Sequence, residues 1–411
     1  MIIRIATIAV ALSIAIMIIS MSLIGGFKFQ IKEKIFGFWG HIHISNINSL
    51  KSYTPTPIAW ESKFYNDIKI TESISYEKNK TILGFSTNSN ETVQTKGGVQ
   101  HIQAFVTKPG IIKTKDAIEG IIFKGIGKDF DWRFLDQYWQ KGKPLTLKDT
   151  TISRGIVISQ QTADRLKLEL GQKFIIYFVE NGEQIKRVFD VTGVYKTGLE
   201  EYDKKIALID IRILQQIMGW KPDQVAGYEV YLNDISDLTP MTEHIYQNIL
   251  DNTLTAETIR EKFPSIFDWI ELQDVNGYVI LGLMLLVGII NMITALLILI
   301  LERTNMIGIL KSMGQSNWDI RKIFLYHASI IAAKGLIWGN IIGISLCYLQ
   351  LYFSFIKLSE ADYYLSYAPI LMNWSGILFL NILTLIIIFL ALIIPSVLVS
   401  RISPIKAIRF K

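Results

Sequence analysis

Four stretches of this chain are long, apolar and almost free of charge, and they limit what it can fold into more than any other feature. They fall at 5–24, 275–301, 323–353 and 374–399. At about 1.5 Å per residue, 18 or more apolar residues in a helix reach across roughly 30 Å of hydrocarbon. Lipid offers no hydrogen-bond partners, so a spanning segment must satisfy its own backbone, and each stretch is predicted to be a transmembrane helix. Pro395 lies near the end of the fourth, where the loss of one backbone donor is tolerated. Lys334 is the one charge inside the third and would be costly facing lipid, so it is expected to snorkel to the interface or to face another helix. Hydrophobic residues make up 50% of the composition and are densest in these runs.

Lysine and arginine in the short connections set the orientation. The connection 302–322 carries Arg303, Lys311, Arg321 and Lys322, and the tail 400–411 carries Arg401, Lys406, Arg409 and Lys411. The connection 356–371 instead sets Lys357 against Glu360 and Asp362. The bias predicts an inner-membrane, multi-pass protein with both termini cytoplasmic and the large segment outside. The expected order is transmembrane helix 1 at 1–26, a periplasmic stalk and domain at 27–274, and helix 2 at 275–301. A cytoplasmic coupling segment follows at 302–322, then helix 3 at 323–355, a short periplasmic loop at 356–371, helix 4 at 372–399 and a cytoplasmic tail at 400–411. Arg4 before an apolar run is also how a secretory signal begins, but the run is long for one and Ser20-Met21-Ser22 is a weak cleavage site, so a retained helix is expected. Arg4 alone is a thin anchor, and a start upstream of Met1 is expected.

Much of the net charge of +6 comes from basic residues beside the membrane, and no compact arginine-rich patch or aromatic-basic ladder occurs, which argues against nucleic acid as a partner. Cys347 is the single cysteine, so no internal disulfide can form.

Within 27–274 the pattern becomes that of a folded soluble domain. Phe27, Ile31 and Lys34-Ile35 recur at helical spacing, so the first helix is expected to extend outward as a stalk. His41-Ile42-His43-Ile44 alternates as a strand does, and the polar stretch 86–98 reads as a loop or excursion. Gly155-Ile156-Val157-Ile158-Ser159 is expected to be a strand entering a helix over 160–170 that Gly171 ends, with a strand at 173–179 beyond. Further strands are expected at 186–195, 205–209 and 227–232, and helices at 210–218 and 241–250. The reading is a large mixed α/β domain of two connected subdomains.

Chemistry is sparse there. Gly125-Ile126-Gly127-Lys128-Asp129 lacks the earlier glycine and the following hydroxyl that a phosphate loop needs. His41 and His43 share a strand face and could hold a metal with His101 or an acid, but two imidazoles are not a site, and hydrogen-bonded strand histidines are the plainer reading. Asp129, Asp131, Asp136 and Glu119 read as a solvated charged face before a paired-carboxylate site. Neither H-E-x-x-H nor G-x-S-x-G occurs, so a non-catalytic chain is expected.

The stretch from Glu302 to Lys322 is the most informative. Gly314 is placed to end one helical segment, Ser316 or Asn317 to cap the next, and Asp319 falls in its favourable first turn. The expectation is a short helix along the cytoplasmic surface with Trp318 at its start, suited to receive a push from a partner below.

With these residues in place, the whole chain resembles the FtsX-like permeases of MacB-type ABC transporters, most closely the lipoprotein-releasing permeases of the LolC/LolE type. The resemblance rests on Gly25-Gly26-Phe27, the strand at 37–44, the Gly155 to Ile158 strand with Ala163, Leu166 and Gly171, Asn291, and the stretch from Glu302 to Gly314. Phe189-x-Val191-x-Gly193-x-Tyr195-x-x-Gly198-x-x-Glu201-Tyr202-Asp203 resembles the lipoprotein branch in particular. Met306 stands where the family commonly has an acid, and the family's cytoplasmic amphipathic segment before the first membrane helix is missing. The resemblance implies a subunit paired with an identical or sister permease chain and driven by a cytoplasmic ABC ATPase dimer. That dimer would bind ATP and Mg, leaving this chain with no cofactor of its own. Acylated lipoproteins would be the substrates and a periplasmic lipoprotein carrier the acceptor. Glu302, Arg303, Lys311, Met313, Gly314, Trp318 and Arg321 are expected to couple to the ATPase. Gly282, Gly288, Asn291 and Ala295 are expected to let the first and second helices approach closely. The rival readings are an efflux permease of the MacB type and an FtsX-like activator of cell-wall hydrolases.

Overall fold

The structure, a computed structural model, describes residues 2–51, 55–60, 63–82, 85–114 and 117–402. It divides into two compact units, Met1–Gln30 with Asp268–Leu358 and Ser366–Lys411, and Ile31–Phe267 with Ser359–Leu365.

Four helices are long and apolar enough to cross a membrane. They are Ile2–Trp39, Pro264–Glu302, Asn317–Phe353 and Trp374–Ser396. Three of them outrun the predicted spans. The first passes through Gly25 and Gly26 without a break, and Gly26 serves close approach: a Cβ there would stand 2.5 Å from the Pro369 carbonyl oxygen. The second begins at Pro264, whose fixed φ and missing N–H suit a first helical position. The third begins after Ser316, whose side chain caps it.

The first and third helices approach closely. Gly335, Gly339 and Gly343 recur every four residues and form one face of the third. A Cβ on Gly335 would lie 2.6 Å from Val10, one on Gly339 2.7 Å from the Ala11 oxygen, and one on Gly343 3.1 Å from Ala15. Residue numbers rise together along both helices, so the two run parallel. Asn340 of the third helix and Asn381 of the fourth exchange two side-chain amide hydrogen bonds of 2.8 Å. Each amide also donates to a carbonyl of its own helix, Leu336 and Ile377, and in an apolar bundle such a polar pair across two helices favours one register. Lys406, Arg409 and Lys411 lie outside the described residues, as does the side chain of Arg401.

The second unit is built on one ten-stranded mixed sheet. Nine strands follow one path: Leu254–Thr258, Ile42–Asn46, Gly227–Leu232, Val99–Lys113, Ile118–Ile126, Ile206–Asp210, Gly155–Ser159, Glu183–Tyr195 and Trp139–Gly142. The tenth, Lys173–Glu180, pairs with Glu183–Tyr195 and also with the far end of Val99–Lys113. Pairing is parallel between Ile206–Asp210 and Ile118–Ile126 and between Gly155–Ser159 and Glu183–Tyr195, and antiparallel at the other joins. Because the sheet is continuous, the unit is a single body where two subdomains were expected. The stretch expected to be a loop or excursion at 86–98 is largely the strand Phe85–Gln94, which pairs with Ser75–Ile82 as a separate two-stranded hairpin. The helix after Ser159 stops at Leu166 with Lys167 in the left-handed region at φ 54°, four residues before Gly171. Ile211–Ile217 lays Ile211 and Leu214 on the sheet, beneath the N-cap Asp210.

The last residues of the first helix enter this unit among buried charges. Lys124 (1% exposed) and Glu229 (0%) form an ion pair of 2.6 Å, and Lys124 Nζ also donates to the Phe38 carbonyl at 3.3 Å. His43 Nε2 lies 2.5 Å from the Trp39 carbonyl, while its Nδ1 lies 2.9 Å from Lys262 Nζ. The ring that donates to the carbonyl and accepts from the ammonium is neutral, and burial, followed by the nearby Lys262 and Lys124 charges, drives its pKa well below the ordinary value. Two carbonyls that a helix end leaves unpaired are thus satisfied by side chains of the sheet.

Candidate functional site

The second helix ends at Glu302, and Arg303 turns the chain into a short helix, Thr304–Ser312. This helix packs inward on Ile307 and Gly308. Gly314 follows at φ +90°, a conformation that favours glycine, with no other atom near its missing Cβ. The Ser316 hydroxyl then accepts the Asp319 N–H at 3.2 Å and donates to the Asp319 carboxylate at 2.6 Å. The short helix therefore precedes Gly314, and Trp318 opens the third long helix; the expected short helix starting at Trp318 is not formed, because the Ser316 cap launches the long one.

Of the seven expected coupling residues, five are displayed outward. Glu302, Arg303 and Gly314 are exposed, as are Met313 (69%) and Trp318 (55%). The other two are committed within the chain. Lys311 Nζ donates to the carbonyls of Ser400 at 3.2 Å and Ile402 at 2.9 Å, and an Arg321 guanidinium nitrogen donates to the Ser400 hydroxyl at 2.8 Å. They brace the end of the fourth helix, where cations are favourable beside unpaired carbonyls. Two further residues complete the outward face. Met306 and Ile309 are exposed and precede Met313 at the i, i+3, i+7 spacing of one helical side. That spacing was present in the sequence and marks the signal that a reading centred on Trp318 passes over. The short helix thus carries an exposed apolar side, and the exposed Trp318 opens the next helix with a large indole, the kind of anchor that dominates interfaces.

The expected packing residues divide. Ala295 is buried (7%), Gly288 makes an ordinary contact of 3.9 Å with Ser13, Asn291 is half-buried, and Gly282 faces open space. The close approach lies instead at Gly335, Gly339 and Gly343.

In the second unit, the motif ending in Tyr202 and Asp203 has a structural role. The Asp203 carboxylate accepts from the Thr197 hydroxyl at 2.7 Å and the Gly198 N–H at 3.0 Å, holding a turn in which Gly198 has φ +78°. Burial raises the Asp203 pKa despite these bonds. Lys34 of the first helix donates to the Thr197 carbonyl at 2.5 Å, and Tyr202 packs edge-on against Trp39. The motif is a clasp on the end of the helix. The remaining candidates are held by neighbours. His41 Nδ1 accepts from the Leu232 N–H at 2.7 Å, and His101 Nε2 lies 2.7 Å from the Asp129 carbonyl oxygen. Asp131 pairs with Arg133 at 2.6 Å, and Glu119 with Arg165 at 2.7 Å. Lys128, after the glycines, pairs with Asp149. Among the described residues no three His, Cys, Asp or Glu side chains gather as metal ligands.

Four apolar helices joined to this sheet define a multi-pass membrane protein with a large domain in chain order between the first two helices. A MacB-like periplasmic core domain matches residues 5–247, more than half of the chain, and an FtsX-like permease C-terminal domain matches 278–404. The chain belongs to the FtsX-like permeases that carry a MacB-like periplasmic core domain, and within them it is of the LolC/LolE type. It is 22% identical to the lipoprotein-releasing system transmembrane protein LolC of Xylella fastidiosa, over 62% of this chain and 65% of that protein. It thus spans just under two thirds of that relative's length. Against LolE of Haemophilus influenzae it is 19% identical over 98% of this chain and 92% of the relative. LolC of Buchnera aphidicola is 26% identical over 82% and 84%. Two solved domains are similar at a TM-score of 0.33: the extracellular domain of YknZ from Gram-positive bacteria (14% identical, covering 53% of this chain and 98% of that one) and the periplasmic region of MacB from Actinobacillus actinomycetemcomitans (12%, 55% and 91%).

Proposed function

We propose that this chain is the non-catalytic transmembrane subunit of an ABC transporter that releases lipoproteins from the inner membrane to a periplasmic carrier. The observation that carries the reading is the similarity of nearly the whole chain, 98%, to a lipoprotein-releasing transmembrane protein. In this reading both termini and the short helix Thr304–Ser312 are cytoplasmic and the ten-stranded sheet is periplasmic. A cytoplasmic ABC ATPase dimer binds the face of Met306, Ile309, Met313 and Trp318 and supplies ATP hydrolysis. A second permease subunit, identical or a sister chain, completes the membrane part. The stalk then carries motion to the periplasmic domain. Energy is needed because each CH₂ of a lipid anchor contributes about 0.8 kcal/mol to membrane retention, so a multiply acylated protein does not leave unaided.

The test is reconstitution of the chain with its ATPase, an acylated lipoprotein and a candidate carrier, reading ATP-dependent transfer. Transfer supports the reading; retention of lipoprotein in vesicles whose ATPase remains stimulated by the chain refutes it.

A further inference from the structure

A cavity of about 560 Å³ opens between the N-terminal part of the first helix and the middle of the third. Two cations, Arg4 and Lys334, line it, and no acidic residue does. Among the described residues neither cation has an ion-pair or hydrogen-bond partner. Apart from Thr7 the rest of its wall is apolar, with Ile8 and Leu12 on the first helix and Trp338 and Ile342 on the third, all four exposed. The glycine face explains why the cavity lies here. Gly335 draws the two backbones together beside Val10, so the side chains flanking that seam spread outward and leave a groove. Lys334 is thereby held level with the first turns of the first helix, the end that also carries Arg4.

Two unpaired cations on membrane-spanning helices are expensive unless an anion joins them. Free phosphate would answer the charge and leave the apolar wall bare. A zwitterionic lipid would fill the wall but bring its own cation to the pair. We propose that this groove binds an anionic membrane phospholipid, its phosphodiester between Arg4 and Lys334 and an acyl chain along Ile8, Leu12, Trp338 and Ile342. The proposal needs only that these helices span a bilayer and is independent of the transported substrate.

The full chain is placed in nanodiscs containing either brominated phosphatidylglycerol or brominated phosphatidylcholine in an unlabelled zwitterionic background. Tryptophan quenching is read in the parent and in Trp338→Phe, the difference isolating Trp338. With two cations contributing, half-maximal quenching is expected at an about thirtyfold lower fraction of the anionic lipid. Lys334→Gln should reduce that preference about fivefold, Arg4→Gln similarly, and the pair should abolish it. The Lys334→Arg chain, which keeps the charge, should retain it and controls for misfolding. Equal quenching by the two lipids in the parent protein overturns the proposal. So does a preference that survives removal of both charges, or one that millimolar inorganic phosphate erases.

Discussion

His41 and His43 make the second unit sensitive to acid. Each imidazole accepts a hydrogen bond at Nδ1, from the Leu232 N–H or from Lys262, and so must stay neutral in the folded protein. Burial brings His41 down to about 4 from 6.5, and burial with the nearby Lys262 and Lys124 charges holds His43 well below its ordinary value. In the unfolded chain both titrate near 6.5, so below that pH the unfolded state binds protons that the folded state refuses. Stability from this source is complete above about pH 6.5 and is lost as pH falls, by about 3 kcal/mol for His41 alone between pH 6.5 and 4. The midpoint of thermal unfolding, followed by tryptophan fluorescence in detergent, should be level from pH 8 to 7 and drop steadily below 6.5; a level midpoint down to pH 5 would contradict the assignment. Lys124→Met should be more damaging at neutral pH. It strands the Glu229 carboxylate, which is fully buried, at a cost of about 3–5 kcal/mol, and adding Glu229→Gln should recover part of the loss in denaturant titrations. The alternation of 41–44 reveals a strand in the sequence, but the partners at Nδ1 of these imidazoles, Leu232 and Lys262, lie some two hundred positions away, and no local pattern announces them.

At the scale of elements, the glycine face between the first and third helices is the feature most open to test. Gly339→Leu places a side chain where the Ala11 oxygen and Ile14 already stand, and overpacking of this kind costs about 1–3 kcal/mol. A lowered melting temperature is expected for Gly339→Leu but not for Gly282→Leu, since Gly282 has open space around it. Helix geometry explains why one set of small residues packs and the other does not. Steps of four keep Gly335, Gly339 and Gly343 near one side, whereas the six-residue step from Gly282 to Gly288 turns about a third of the way around. The four helices were legible from hydropathy alone and the G-x-x-x-G spacing was legible too; which helix it faces depends on tertiary packing. The same holds for Lys311 and Arg321, whose partners at Ser400 and Ile402 are distant in sequence. On the short helix and its turn, Trp318→Ala should weaken ATPase binding about thirtyfold if the indole is the anchor, measured by surface-immobilised binding of the purified ATPase. Gly314→Val, forced to φ +90°, should cost about 1–2 kcal/mol of turn stability and lower stimulated ATP hydrolysis. Unchanged binding and hydrolysis in both variants would move the contact elsewhere.

For the molecule as a whole, the boundary between the two units falls inside helices. The first unit ends at Gln30 and the second begins at Ile31, yet Ile2–Trp39 is one helix; Phe267 and Asp268 divide in the same way within Pro264–Glu302. If motion passes along the stalk, Gln30→Pro, which removes a backbone hydrogen bond and costs about 3 kcal/mol, should leave ATPase binding and basal hydrolysis in place while lipoprotein transfer falls sharply in vesicles. Full transfer by that variant would show that the helix need not be continuous. Unbroken helices across such a boundary also count in turns. One inserted residue advances everything beyond it by about 1.5 Å and swings it by about 100°, so a single-residue insertion at 30–31 would turn Lys34 and the clasp around Asp203 together, out of phase with the helix residues up to Gln30. Seven or eleven added residues nearly restore the phase, but only if the second helix lengthens to match at 267–268. Length changes in this protein should therefore be tolerated in coordinated, whole-turn sets, like paired shafts that must be cut to the same thread.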